Sequence, residues 1–135
     1  MKRLLLIANP SASGFTGASL RDVEVILGEA FAVTTAWPIG PAESRQAAAD
    51  AAAEGYSVVA AMGGDGVVHH VANGLAFTGT SLGVIPTGTT NVVARILGIP
   101  LKARAAAERL VSGHRRLISL AHIATESPLA ARSEY

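Results

Sequence analysis

Short apolar runs separated by helix-length stretches constrain this chain more than any other feature. Leu4–Ala8, Ser57–Met62 and Leu82–Ile85 are almost unbroken in apolar character. A strand that reads this way is buried on both faces, which is the habit of parallel sheets covered by helices. Phe31–Trp37 is β-branched and aromatic and reads as a further strand, and Leu117–Leu120 as a last short one. Between them lie helical stretches with clear stops. Ala18–Leu27 meets Gly28, Pro41–Glu54 opens on proline and closes at Gly55, and Asp65–Phe77 follows. Thr89–Leu97 stops at Gly98 with Pro100 beyond, and Leu101–Ser112 ends at Gly113. Strand and helix in alternation predict an α/β fold, a three-layer αβα arrangement around a parallel sheet.

Composition narrows the class. The 135 residues are one domain's worth, half of them apolar and 16% charged, against about 25% charged in an average soluble domain. Such a chain is too hydrophobic for intrinsic disorder. A net charge of +1 supplies no field to gather nucleic acid, so no nucleic-acid partner is expected. With no cysteine, disulfides, thiolate metal sites and thiol nucleophiles are excluded. No apolar run nears the roughly 18 residues of a membrane span. Lys2-Arg3 before Leu4–Ala8 imitates a leader, but Asn9-Pro10 ends the run too early. A cytoplasmic location follows as the expectation, with peripheral contact at the inner membrane face at most. Few charges on a small domain also suggest apolar surface awaiting a second lobe or a homodimer partner. Residues 1–120 read as one lobe. Residues 121–135 lose all periodicity, as a disordered end would, or a chain that continues beyond them.

The chemistry concentrates in three strand-to-helix loops. They are Asn9-Pro10-Ser11-Ala12-Ser13-Gly14, Gly63-Gly64-Asp65-Gly66 and Pro86-Thr87-Gly88-Thr89-Thr90-Asn91. In an open parallel sheet the ligand crevice lies at the carboxyl ends of the strands, where these loops belong. Glycine lets backbone approach a ligand, and the helix that follows offers unpaired N–H groups and its positive dipole end. Any one such loop is ordinary turn and cap chemistry. Three on one edge point to a phosphate or nucleotide crevice. The P-loop pattern is absent, and no lysine stands in any of the loops. Gly64-Asp65-Gly66 nearly opens a dinucleotide fingerprint, but the third glycine is His69 and no acid occurs between Gly66 and Ala107. Asp65 is therefore a lone carboxylate among donors. It reads either as a helix cap or as a Mg²⁺ ligand or base beside phosphates.

These residues resemble a known family. Gly63-Gly64-Asp65-Gly66, continuing through Asn73-Gly74-Leu75, resembles the GGDGT segment of the diacylglycerol kinase catalytic domain, shared with sphingosine and ceramide kinases. Asn9-Pro10 with Ser13-Gly14 is similar to its NPxSG loop, and Leu82 through Arg95 to its LGxxPxGTxNxxAR segment. The resemblance runs along nearly the whole chain in the right order. It implies a Rossmann-like sheet like that of the amino-terminal lobe of lipid kinases and NAD kinase. It also implies phosphoryl transfer from ATP, with Mg²⁺, to a lipid hydroxyl such as that of diacylglycerol. By motif, Asn9, Ser11, Ser13, Gly14, Gly63, Gly64, Asp65, Gly66, Gly88, Thr89, Thr90 and Asn91 would form the nucleotide site. Thr34 or Thr35 would join from the second strand, and Asp65 would be the catalytic and metal-binding residue.

Four positions depart from the family pattern: Val67 stands for Thr, His69 for Asn, Val92 for a frequent Asp, and Ser119 for another Asp. Asp65 thereby lacks two expected carboxylate neighbours. The resemblance implies a two-lobed protein whose second, β-rich lobe brings an acid, with residues 121–135 as a tail cut before that lobe, so little kinase activity is expected of this chain alone. A non-catalytic nucleotide-binding module and an NAD kinase-like enzyme are the alternatives. His69 and His70 diverge by about 100° on a helix and suit no shared metal; one of them is expected to face the cleft. Trp37 reads as a strand-end core aromatic that has the alternative of stacking on adenine.

Overall fold

The computed structural model describes residues 1–113. The expected strand at 117–120, Ser119 and the tail at 121–135 lie outside the described residues. Four strands, β1 (Arg3–Ala8), β2 (Ala32–Ala36), β3 (Val58–Gly63) and β4 (Ser81–Pro86), form one sheet in the order β2-β1-β3-β4. Every pairing is parallel. Five helices connect or follow them: α1 (Gly17–Gly28), α2 (Pro41–Ala53), α3 (Asp65–Leu75), α4 (Val92–Leu97) and α5 (Ala103–Ser112). The α/β reading of the sequence is thus the architecture found.

Alternation along each strand divides the core in two. Leu4, Leu6 and Ala8 of β1 join Ala60 and Met62 of β3 and Ile85 of β4 beneath α1 and α5. Leu5 and Ile7 join Val59, Ala61 and Val84 beneath α2 and α3. Helices on both faces make three layers. Leu4, Leu6, Ile7 and Met62 are wholly buried, and each such side chain contributes about 1.5–3 kcal/mol relative to exposure.

This topology creates the site's location. The chain leaves β1 towards β2 on one side, then crosses back so that β3 pairs with β1 on the other. The connections after β1 and after β3 therefore diverge to opposite faces, α1 to one and α3 to the other. A crevice opens between them at the carboxyl edge, as at any such switch point.

Some elements differ from the sequence expectation. Helix α3 ends at Leu75, short of Phe77 with its φ of 62°, and α5 begins at Ala103, not Leu101. Helix α4 begins at Val92, not Thr89, because Asn91 takes a left-handed conformation with φ of 52°. Trp37 is half exposed and stands edge-on to Phe15, ring centroids 6.0 Å apart, so it is not a core residue. Where α2 and α3 cross, Gly74 lies against the Arg45 carbonyl, and an added Cβ would stand 2.8 Å from the Ala48 Cβ. Gly74→Ala should therefore destabilise the fold by about 1–3 kcal/mol, read as a lowered urea midpoint with an unchanged slope.

Candidate active site: three loops at the carboxyl edge

The three loops meet through their backbones. The Gly14 N–H donates to the Thr87 carbonyl at 2.6 Å, which joins the first loop to the third. A Cβ on Gly14 would sit 2.8 Å from that oxygen, and one on Gly88 only 2.5 Å from the Gly64 Cα. Glycine at 14 and 88 is required by the approach of one loop to another, before any ligand is considered. Gly63 makes room in the same way for the Val67 side chain, which continues into the core beneath α2 and α3. The hydroxyls of Ser13 and Thr89 close the contact at 2.9 Å.

Each loop is also braced internally. Asn9 accepts from the Ser11 N–H through its Oδ1 at 3.0 Å, an Asx turn. The Asn91 amide closes a ring with Gly88, accepting from its N–H at 3.1 Å and donating to its carbonyl at 3.0 Å. Asn91 is buried, and its side chain holds the third loop in shape. Thr90 gives its carbonyl to Arg95 Nε at 2.8 Å.

Asp65 binds the second loop to the third. Its Oδ2 accepts from the Val92 N–H at 2.9 Å and its Oδ1 from the Val93 N–H at 3.0 Å. The carboxylate therefore caps α4 from the first residue of α3, and does not cap its own helix. No side chain caps α3. By contrast, Thr16 caps α1, accepting from the Ser19 N–H at 3.0 Å. Helix α3 is therefore open at this edge, and its leading N–H groups carry a partial positive charge; α2 also lacks a side-chain cap but opens on Pro41, which has no N–H to offer, and follows the outer strand β2. Gly66 stands there exposed, and an added Cβ would meet nothing within 4 Å. Of these loop glycines it is the one with open space before it.

The two threonines of β2 stand apart from this cluster. Thr34 and Thr35 pair with Leu5 and Leu6 in mid-strand, and the Thr35 hydroxyl donates to Glu24 Oε2 at 2.5 Å. His69 and His70, both half-buried, have ring centroids 5.0 Å apart, and Asn73 Nδ2 donates to His69 Nδ1 at 3.3 Å. Thr87 was not legible as a site residue: its Oγ1 is buried at the junction of the loops and has no hydrogen-bond partner. Only its place between Pro86 and Gly88 hinted at it.

With this geometry established, comparison with known proteins is decisive. The model of the diacylglycerol kinase catalytic domain matches residues 3–123. The chain belongs to the diacylglycerol kinase catalytic domain family. It is 34% identical over 125 residues to a diacylglycerol kinase of Staphylococcus saprophyticus, covering 88% of this chain and 40% of that protein. It is 40% identical over 84 residues to the diacylglycerol kinase of Bacillus subtilis, covering 60% of this chain and 28% of that one. A crystal structure of a diacylglycerol kinase from Bacillus anthracis superposes with a TM-score of 0.77 at 28% identity, over 84% of this chain and 40% of that chain. The chain thus spans well under half the length of these relatives.

The family pattern makes two of the departures interpretable. Val67 replaces a hydroxyl with a side chain that packs on Gly63 and the core. Val92 brings no carboxylate, and its N–H is bound to Asp65. Among the described residues no group of three His, Cys, Asp or Glu side chains is placed to hold a metal. The described residues by themselves build no cage for Mg²⁺. Each Asp65 oxygen keeps a second lone pair, which fits an ion brought in on phosphates, since Mg²⁺ commonly uses one carboxylate together with phosphate oxygens.

The glycines give opposite signs. Gly88→Ala should cost about 1–3 kcal/mol through overpacking. Gly66→Ala should stabilise by about 0.4–1 kcal/mol, because helical alanine is favoured where space permits. Paired urea titrations check both signs.

Proposed function

We propose that this lobe binds the phosphates of ATP at the open end of α3 and serves phosphoryl transfer to a lipid hydroxyl, such as that of diacylglycerol. The carrying observation is the uncapped α3 terminus at the β1–β3 switch, with Gly66 unhindered in front of it. Helix N-termini of this kind bind anions through N–H groups and dipole together.

The lobe's own residues divide the work. The Asp65, Gly66 and Val67 N–H groups face the phosphates, which neutralises charge without a lysine. The Asp65 carboxylate is drawn onto the Val92 and Val93 N–H groups, so its negative charge is partly offset before an anion arrives. Ser13 and Thr89 exchange their mutual hydrogen bond for bonds to phosphate oxygens. Asp65 would hold Mg²⁺ carried in with the nucleotide, and the ion would supply neutralisation of the charge that develops on transfer. Positioning and charge neutralisation account for most catalysis of this kind.

Asp65 favours a second reading as well. A carboxylate already engaged by two backbone donors serves a non-catalytic nucleotide-binding module equally well, and Val67 and Val92 agree with that reading.

Calorimetric titration with ATP, with and without Mg²⁺, tests the site. Saturable binding at about millimolar Kd or tighter, roughly −4 kcal/mol or better, is expected. Gly66→Val should weaken it at least tenfold and leave stability within about 0.5 kcal/mol. Unchanged affinity in that variant would remove the α3 terminus from the site. Asp65→Ala that lowers affinity only with Mg²⁺ present supports the kinase reading. Equal loss with and without Mg²⁺ supports the module.

A further inference from the structure

We propose that the turn between α4 and α5 is the surface by which this chain docks on an anionic lipid bilayer. The proposal deepens the lipid-kinase reading and rests on it for the location of the substrate. Its evidence is the turn itself. Leu97 packs on the core beneath α2 and α3, and Ile99 packs on both core clusters, so the connection wraps the β4 side of the sheet from one face to the other. Gly98, with φ of 70°, ends α4 through its N–H bond to the Arg95 carbonyl. This anchoring turns Leu97 and Ile99 inward and leaves Ile96 and Leu101 outward, 39% and 40% exposed.

Positive charge surrounds those two side chains. Arg95 holds the Thr90 carbonyl, and Arg109 reaches back to the Gly98 carbonyl at 3.3 Å. Both bonds go to neutral carbonyls, and among the described residues neither guanidinium has an acidic partner. Lys102, exposed, stands where α5 begins. Arg104, one helical turn further on, is paired with Glu108 at 3.4 Å and adds no net charge. From Gly66 to Ala107 the chain contains no Asp or Glu at all, whereas seven of its acids lie between Asp22 and Asp65.

Apolar side chains held outward amid cations match the headgroup region of an anionic bilayer, where apolar side chains insert and cations pair with lipid charge. Among the described residues no helix is long and apolar enough to cross a membrane, so this contact is made at the surface. The turn continues directly from the third loop through Asn91 and α4. Docking there would bring a lipid hydroxyl to the phosphate edge of the sheet.

Co-sedimentation of the chain with vesicles tests the surface. Equimolar phosphatidylglycerol and phosphatidylcholine vesicles should bind it, pure phosphatidylcholine vesicles should not, and added salt should weaken the binding. Lys102→Glu should weaken it at least about five-fold, the worth of one basic residue near an anionic surface. The double variant Ile96→Ser, Leu101→Ser should weaken it further, with circular dichroism confirming that each variant is folded. Lys2→Glu, at the amino edge of the sheet, should change it little. Binding that is absent, or equal on neutral vesicles, or indifferent to these substitutions overturns the proposal. So does a concentration-dependent dimer lost in the same variants without vesicle affinity, which would assign the turn to a second copy. ATP affinity measured on the same samples separates the two readings: vesicle binding without ATP binding supports the surface and counts against the nucleotide site, and the reverse result overturns the surface alone.

Discussion

The close approach of Gly88 to Gly64 is the contact on which the rest of the site depends. A Cβ at position 88 would lie 2.5 Å from the Gly64 Cα, a separation that real Cβ atoms do not adopt. Backbone must therefore meet backbone, and that meeting sets the distance between the second and third loops. Asp65 then reaches Val92 and Val93, and Gly14 reaches Thr87. These bonds turn three separate strand ends into one surface. Each charge-assisted bond from Asp65 contributes about 1.5–3 kcal/mol, a large share of a small domain's net stability.

The arrangement also gives the carboxylate at the head of α3 a structural partner. Asp65 leads α3, where a negative charge is favourable, but its side chain turns sideways to α4. Two helix termini thus share one carboxylate. Helix α4 is satisfied by it, and the N–H groups of α3 remain available to an anion. The buried, unpartnered Thr87 hydroxyl lies at the same junction. A buried hydroxyl without a partner is costly, so the junction holds polar capacity that loop-to-loop contacts leave unused.

Much of this was legible in the sequence, for a physical reason. Strands buried on both faces must be apolar throughout, so Leu4–Ala8 and Ser57–Met62 announced the parallel sheet, and Gly28, Gly55 and Gly98 marked the helix ends. The three glycine-rich loops announced the edge. What the sequence could not reveal was the purpose of each glycine. Gly14, Gly63 and Gly88 serve loop packing and Gly66 alone stands open, a distinction made by contacts distant in sequence. The start of α4 looked earlier, because asparagine only tolerates the left-handed conformation and does not dictate it, and the ring that holds Asn91 there is closed with Gly88 in three dimensions. Thr34 and Thr35 pair with Leu5 and Leu6 within the sheet, a register that only the fold supplies.

The central claim is that the open terminus of α3, framed by two flanking loops, is where phosphate binds. Amide NMR of the labelled chain during addition of ATP reads that claim residue by residue. The account predicts the largest shifts at the N–H groups of Asp65, Gly66 and Val67, with smaller ones at Ser13 and Thr89. Shifts centred on Ser19 at the capped end of α1, or confined to Trp37 with none at Gly66, would contradict it.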